Sequence, residues 1–319
     1  MNLFISNFRS EAKVLVGAIL SVLAIEGALR VALPHISIDF SHIETIPSVG
    51  RSFGDHSRAR VLFLGNSTTR RGVDLNVVKR TWADMGIHAT TRSVYPDDTT
   101  MVDWYYLFQH YFPADHAPDL VVIGFVKSQI SDQTAVHPNR IAAHFGGFGI
   151  ANEAFTTDLR NFGDKVDFLL SIEIRMFSER DRLRETILGA LAPRYSDTAQ
   201  ALNIAALKAK ETGEVHLTYG RLTRFLRMCG ERGTVPLFVA MPLPTSYDID
   251  KDLVATVTSH GGLFWDFRAT QRLTRKDFLD PLHLAPSGAI IYTKRLALAL
   301  ASLNCVRAKG VFVYPADAQ

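Results

Sequence analysis

Val61-Leu62-Phe63-Leu64-Gly65-Asn66-Ser67-Thr68 is a run of four apolar residues that stops at a glycine and reaches a serine two residues later. A short unbroken apolar run closed by a turn residue is the pattern of a strand buried on both faces of a parallel sheet. Runs of the same kind recur at 121–123, 235–241 and 263–267, and the stretches 99–111 and 217–228 between them have helical spacing. Strand alternating with helix predicts an α/β, doubly wound sheet. Ligands bind such sheets at the carboxyl ends of the strands, which is where Ser67 falls, with the N–H groups of a helix start beside it. The same position also suits a serine that only caps a helix.

A second motif lies near the other end: Phe278-Leu279-Asp280-Pro281-Leu282-His283-Leu284-Ala285-Pro286-Ser287-Gly288. Asp280 and His283 are three apart on one predicted loop, a spacing that lets a carboxylate hold one imidazole nitrogen while the other faces a nucleophile. An ordinary turn with a solvent-exposed histidine has the same spacing. After it, Tyr292, Leu296, Leu300 and Leu303 make the apolar stripe of a helix lying on a sheet.

Taken together, G-x-S after the first strand and D-x-x-H-L before the last helix resemble the SGNH (GDSL-like) hydrolase superfamily over residues 60–303. The resemblance implies a flavodoxin-like three-layer sandwich with a central parallel sheet, Ser67 as nucleophile, His283 as general base and Asp280 as its orienter. It implies no cofactor. Three positions depart from the family pattern. Asn66 replaces the usual Asp of the first block. The second block, Arg92-Ser93-Val94-Tyr95-Pro96-Asp97, lacks the Gly whose N–H serves the oxyanion hole. The third, Gly124-Phe125-Val126, has Val in place of the donating Asn. Asn66, Ser128 and Gln129 are the candidate oxyanion and substrate-binding residues, with Lys127 a further substitute donor. One missing oxyanion donor costs about 2.7 to 4 kcal/mol, so a slow enzyme or a pseudoenzyme also fits the sequence.

Composition excludes other classes. At 319 residues, 47% apolar and 21% charged, the chain has ample material for a core, and a net charge of +3 gives no argument for nucleic acid. Cys229 and Cys305 are the only cysteines, too few for a disulfide scaffold or a cysteine-based zinc site, and no histidine sits in a metal-binding spacing.

Residues 14–33, VLVGAILSVLAIEGALRVAL, would span about 30 Å as a helix, one bilayer core. Glu26 and Arg30 oppose insertion, but they stand four apart with Glu first, the order of a helical ion pair, and Arg30 can snorkel toward the interface. Arg9 and Lys13 precede the segment and no Lys or Arg follows until Arg51, which places the amino end in the cytoplasm and exports the rest. A cleaved signal peptide and a buried soluble helix are the alternatives, and no good cleavage site follows. The expected organisation is a stub and transmembrane anchor over 1–34, a juxtamembrane linker over 35–59, and a catalytic domain over 60–319 with a helical insertion around 128–230. In the insertion, residues 145–149 read as a flexible glycine-rich loop. The alternation of Arg175, Arg180, Arg182 and Arg184 with Glu173, Glu179 and Glu185 reads as a solvated helix face.

An anchor followed by an exported SGNH-like body also resembles in layout the accessory proteins that O-acylate extracellular polysaccharides. That resemblance implies an acyl donor and a polysaccharide as substrates, a multispan membrane acyltransferase as partner, and an inner-membrane, single-pass location. The expected activity is serine O-acyl transfer or ester hydrolysis. The alternatives are a non-catalytic assembly or glycan-binding protein and a soluble lipase-like esterase.

Overall fold

The computed structural model describes residues 2–192, 216–269, 273–303 and 306, and Cys305 lies outside them. The chain divides into two compact units, one of residues 1–41 and 137–215, the other of residues 42–136 and 216–319.

The larger unit is built on five parallel strands, β1 (Ala59–Leu64), β2 (Ala89–Val94), β3 (Leu120–Phe125), β4 (Val235–Ala240) and β5 (Leu263–Asp266), in the order β2-β1-β3-β4-β5. This is the flavodoxin-like order, whose ligand crevice lies where the connections diverge beside the first strand. Every residue of β3 and β4 is buried, as is all of β1 after Ala59, so three of the four apolar runs are the inner strands, whereas the run at 263–267 forms β5, the other edge of the sheet, and is only half-buried. β2, Ala-Thr-Thr-Arg-Ser-Val, has no apolar run to reveal it. It is an edge strand with only Thr91 and Val94 buried, and its ladder to β1 forms it. Leu64 pairs with Val94 on one side and Ile123 on the other, so the loops leaving β1, β2 and β3 emerge side by side.

Helices cover the sheet: α3 (Ser67–Gly72), α4 (Leu75–Asp84), α5 (Met101–Tyr111), α10 (Gly220–Glu231), α11 (Lys251–Ser259) and α12 (Pro286–Leu300). Tyr292, Leu296 and Leu300 of α12 are buried as their spacing predicts, and Trp82 of α4 donates its indole N–H to Ala297 O at 2.8 Å. α10 spends the end of the predicted insertion on this unit's core through Leu222, Phe225 and Leu226.

The predicted linker is largely helical, because its apolar residues have core positions to fill. Helix α2 (Ile38–Arg51) carries the unit boundary, and Ile43, Ile46 and the following Phe53 are buried, Phe53 against Phe112.

The smaller unit contains α1 (Asn2–Ile36), α6 (Pro138–His144), α7 (Phe162–Glu173), α8 (Arg175–Ser178) and α9 (Arg180–Leu191). Helix α1 is long and apolar enough to cross a bilayer over Glu11–His35. The Glu26–Arg30 pair forms at 3.1 Å, and both residues also have partners beyond α1. Glu26 accepts the N–H groups of Arg175 and Met176 at 2.7 and 3.0 Å, and Arg30 donates to Glu173 O at 2.7 Å. The Arg/Glu alternation is likewise only partly a solvated face. Glu179 is buried against His144 at 2.6 Å, and Arg180 and Arg182 pair with Asp167 and Asp39. In the glycine-rich stretch Phe145 is fully buried at the end of α6, and Gly147 takes the left-handed φ of +54° that opens a 3-10 turn.

Candidate active site

Strand β1 ends at Leu64, and Gly65 and Asn66 turn the chain into α3, whose first residue is Ser67. Two glycines make the turn possible. A Cβ at Gly65 would run into the Thr69 side chain, and one at Gly124 would meet both Thr69 and the Met241 sulfur. The close approach lets Thr69 Oγ1 donate to Gly124 O at 3.0 Å, tying α3 to β3. Asn66 caps α3: its Oδ1 accepts from Thr68 N at 3.0 Å, and its Nδ2 donates to Thr99 O at 2.9 Å. Thr99 Oγ1 lies 2.7 Å from Pro96 O and 3.1 Å from Gly65 O, while the indole N–H of buried Trp104 reaches Thr99 Oγ1 at 3.0 Å and Gly65 O at 3.2 Å. Ser67 is thereby fixed from below by groups on the β2–α5 connection and α5.

The second motif is an equally determined loop. Phe278 and Leu284 form a small antiparallel bridge, both buried, and Leu279 N donates to His283 O at 2.9 Å. Asp280 Oδ1 accepts the backbone N–H groups of Leu282 and His283 at 2.7 and 2.9 Å, which closes an Asx turn. Its other oxygen, Oδ2, is 2.8 Å from His283 Nδ1, and His283 Nε2 is 3.1 Å from Ser67 Oγ. Burial alone would raise the Asp280 carboxyl, but the hydrogen bonds from the His283 ring and from the two backbone N–H groups outweigh it, and the net direction is below the ordinary value. An ionised carboxylate can only accept, so the neutral ring carries its proton on Nδ1 and presents Nε2 to the Ser67 hydroxyl as an acceptor.

The structure thus brings Ser67, His283 and Asp280 into one chain of contacts. It does not bring the side chains of Asn66, Ser128 and Gln129 into hydrogen bonding with Ser67. Asn66 is spent on capping, Gln129 Oε1 accepts from Val126 N at 2.9 Å, and Ser128 is exposed, its carbonyl accepting from Ser131 N at 3.0 Å. The Ser67 N–H at the head of α3 has no hydrogen-bond acceptor among the described residues. Two residues in the loops beside it, Asp98 after β2 and Lys127 after β3, hold left-handed φ values of 54° and 50°. That conformation costs a non-glycine residue about 1 to 2 kcal/mol, and strain of this kind gathers at ligand sites.

Thr99 and Trp104 are the positioning residues that motif reading overlooked. Their sequence signal is faint: Thr100 and Asp103 form a capping box, so Thr99 stands just before a helix start, and Trp104 carries an indole N–H that needs a buried acceptor. On α3, Ser67, Arg70 and Arg71 share one face while Thr68, Thr69 and Gly72 are buried on the other. That face borders a groove of about 430 Å³ lined by Arg70, Arg71, Tyr95, Leu284, Pro286 and Ala289, among others. Arg70 is held by Asp97 at 2.7 Å.

No protein-family model matches the chain, and no curated protein does. Several solved structures are similar to it at low identity. An acetylxylan esterase from Geobacillus stearothermophilus is 13% identical, with 78% of this chain and 97% of that one covered, at a TM-score of 0.38. A Bacteroides fragilis protein assigned as an acylhydrolase is 11% identical, with 79% and 93% covered, at 0.37. A lipase from a goat rumen metagenome is 10% identical, with 75% and 97% covered, at 0.34. Likeness at this level carries no chemistry. The sheet has the flavodoxin-like order, with G-x-S leaving its first strand and D-x-x-H preceding the last helix.

Proposed function

We propose that the protein is a membrane-anchored serine O-acyltransferase or esterase acting on acyl, in the first instance acetyl, esters of an exported polysaccharide. The observation that supports this reading best is the contact chain Asp280–His283–Ser67, at 2.8 and 3.1 Å, on two loops each of which is tied by its own hydrogen bonds. His283 takes the Ser67 proton as Oγ attacks the ester carbonyl. Asp280 holds the ring in the required tautomer and stabilises the imidazolium, which then protonates the departing alkoxide. The acyl-enzyme is resolved by a hydroxyl that His283 deprotonates, either water or a sugar hydroxyl. The oxyanion takes the free Ser67 N–H, and the Ser128 hydroxyl and Gln129 amide N–H group are the further donors we assign on the β3 loop. The groove beside Arg71 and Leu284 is where a sugar residue would lie.

Anchoring through α1, with the body on the outer face of the inner membrane, follows from the Arg9 and Lys13 bias and keeps the site near a membrane-borne acyl donor, the product side of a multispan acyltransferase. A reporter fused at Gln319 and active only in the cytoplasm would reverse that topology. A second reading, an assembly or glycan-binding partner without turnover, is favoured by one specific observation: Asn66 and Gln129 Oε1 are committed to the backbone rather than to the cleft. A fluorophosphonate probe separates the two readings, since only an activated serine reacts. Labelling of the intact protein that is lost in Ser67→Ala supports the enzyme, and no labelling supports the partner. With an acetyl donor and an oligosaccharide acceptor, mass spectrometry then tells acetylated sugar from free acetate.

A further inference from the structure

The anchor helix changes character partway along. Residues 11–25 are exposed on every side, whereas Glu26 and Leu29 are partly covered and Leu33 is 1% exposed, a spacing that puts one face of the second half of α1 against protein. The cover is the turn joining α7 to α8, clamped by Glu26 to the N–H groups of Arg175 and Met176 and by Arg30 to the Glu173 carbonyl.

Length decides what this means. At about 1.5 Å per residue the all-round exposed segment reaches about 22 Å, or about 18 Å if counted from Val14, where the charges Arg9, Glu11 and Lys13 end. A hydrocarbon core is about 30 Å thick. The missing 8 to 12 Å must come from the stretch between Glu26 and Leu33, the stretch the smaller unit collars. If α1 crosses the membrane, the turn at 173–176 is therefore at membrane depth too. Glu26 and Arg30 are tolerable there because each has a protein partner, as ionisable groups inside membranes require. The helices around this turn also expose apolar side chains that a water-facing module would bury: Met176 on α8 at 36%, Phe162 and Leu169 seven apart on α7 at 81% and 45%, and Ile187 and Leu191 four apart on α9 at 55% and 77%. Their arginines are largely committed internally, Arg180 to Asp167 and Arg182 to Asp39.

We propose that the helical insertion is itself a membrane-seated module. Helix α8 and the exposed apolar residues of α7 and α9 rest in the headgroup–acyl boundary of the leaflet crossed by the Glu26–Leu33 half of α1, with α1 as their axis. The occupant of this surface is lipid, engaged by apolar burial rather than by charge. The inference rests on α1 being a span, and the experiment keeps the two apart. Full-length protein carrying Cys305→Ser, with buried Cys229 retained, receives one added cysteine at a time: Met176→Cys, Phe162→Cys, Leu191→Cys, or Leu20→Cys for the middle of the span. Each is labelled with an environment-sensitive fluorophore in phosphatidylcholine vesicles that contain lipids nitroxide-labelled at a shallow or a deep position. The expected result is deep quenching at residue 20 and at least twofold shallow-over-deep quenching at 176 and at 162 or 191, unchanged by 0.5 M salt. Deep quenching at residue 20 with water-like emission at 176, 162 and 191 overturns the proposal while leaving the anchor standing. No quenching at residue 20 removes the anchor and the proposal together.

Discussion

His283 Nε2 stands 3.1 Å from Ser67 Oγ although 216 residues separate them in the chain. The contact exists because both loops follow the carboxyl ends of parallel strands, β1 and β5, and each is pinned by its own hydrogen bonds, not because the two side chains attract each other. Ser67→Ala and His283→Ala are therefore expected to lower turnover of an activated acetyl ester by about 10⁴-fold or more. Both residues are half-buried and lie outside the hydrophobic core, so the thermal midpoint should move little. Near-native rates for purified Ser67→Ala would remove it as nucleophile.

Asp280 acts through the ring it holds. In Asp280→Asn the amide can present N–H to Nδ1, which flips the ring proton to Nε2 and leaves Ser67 without an acceptor, for an expected fall in kcat of about 10⁴-fold with KM little changed. The pH behaviour follows from the lowered Asp280 value. A carboxyl depressed in the fold contributes stability that is full above its unfolded value of about 3.9 and lost as pH falls through the lower folded value. That contribution is full at pH 5 and fades below about 3.9, so the midpoint loss caused by the substitution should shrink as melts are taken from pH 5 toward about pH 2, and a loss that persists undiminished there would contradict it.

The three inner strands were legible because burial on both faces writes a continuous apolar run, and the Ser67 and His283 loops because their residue types are rare in combination. β2 was not, because an edge strand of Thr, Arg and Ser owes its form to the ladder with β1 rather than to its own side chains. The linker reading of 35–59 missed α2 for a different reason: Ile43, Ile46 and Phe53 become core residues only against partners distant in sequence, such as Phe112. The fate of Asn66 was hidden in the same way. A side-chain amide beside a nucleophile looks like a donor to substrate until Thr99 O and Thr68 N are found on it.

Thr99→Val keeps the shape of the side chain and deletes the hydroxyl that joins Pro96 O, Gly65 O and the Trp104 indole. Leaving buried polar groups short of a partner costs about 1 to 3 kcal/mol, which denaturant unfolding should register. Since Gly65 precedes the nucleophile by two residues, kcat should also fall, by about tenfold or more, while KM stays near its native value. Thr99→Ser, which restores the hydroxyl, should recover kcat. A stability loss with unchanged kcat would confine Thr99 to a structural role.

The pair His144–Glu179 in the smaller unit makes a separate pH prediction. Burial holds His144 below the usual imidazole value, with its ring 2.6 Å from Glu179 Oε1 and Arg175 at 3.4 Å from the other nitrogen. Burial also pushes Glu179 upward, but His144, Arg182 and Arg175 reverse that, and its carboxyl ends below the ordinary range. The fold thus keeps a neutral ring donating to a carboxylate. Once pH drops below about 6.5 the unfolded chain takes up a proton on His144 that the folded unit refuses, so stability falls with acidification from that point. Glu179 adds a loss of the same sign at lower pH, as the unfolded carboxyl starts to bind protons near 4.3 and the folded one follows below it. Amide exchange of α6 and α9 in detergent, corrected for intrinsic rates, should therefore show protection that drops between pH 7.5 and 5.5. In His144→Gln, which can still donate to Glu179 but cannot titrate, protection should be lower at pH 7.5 and flat across that window. A native protein whose protection is the same at both pH values would show that the buried ring is not what the fold holds neutral.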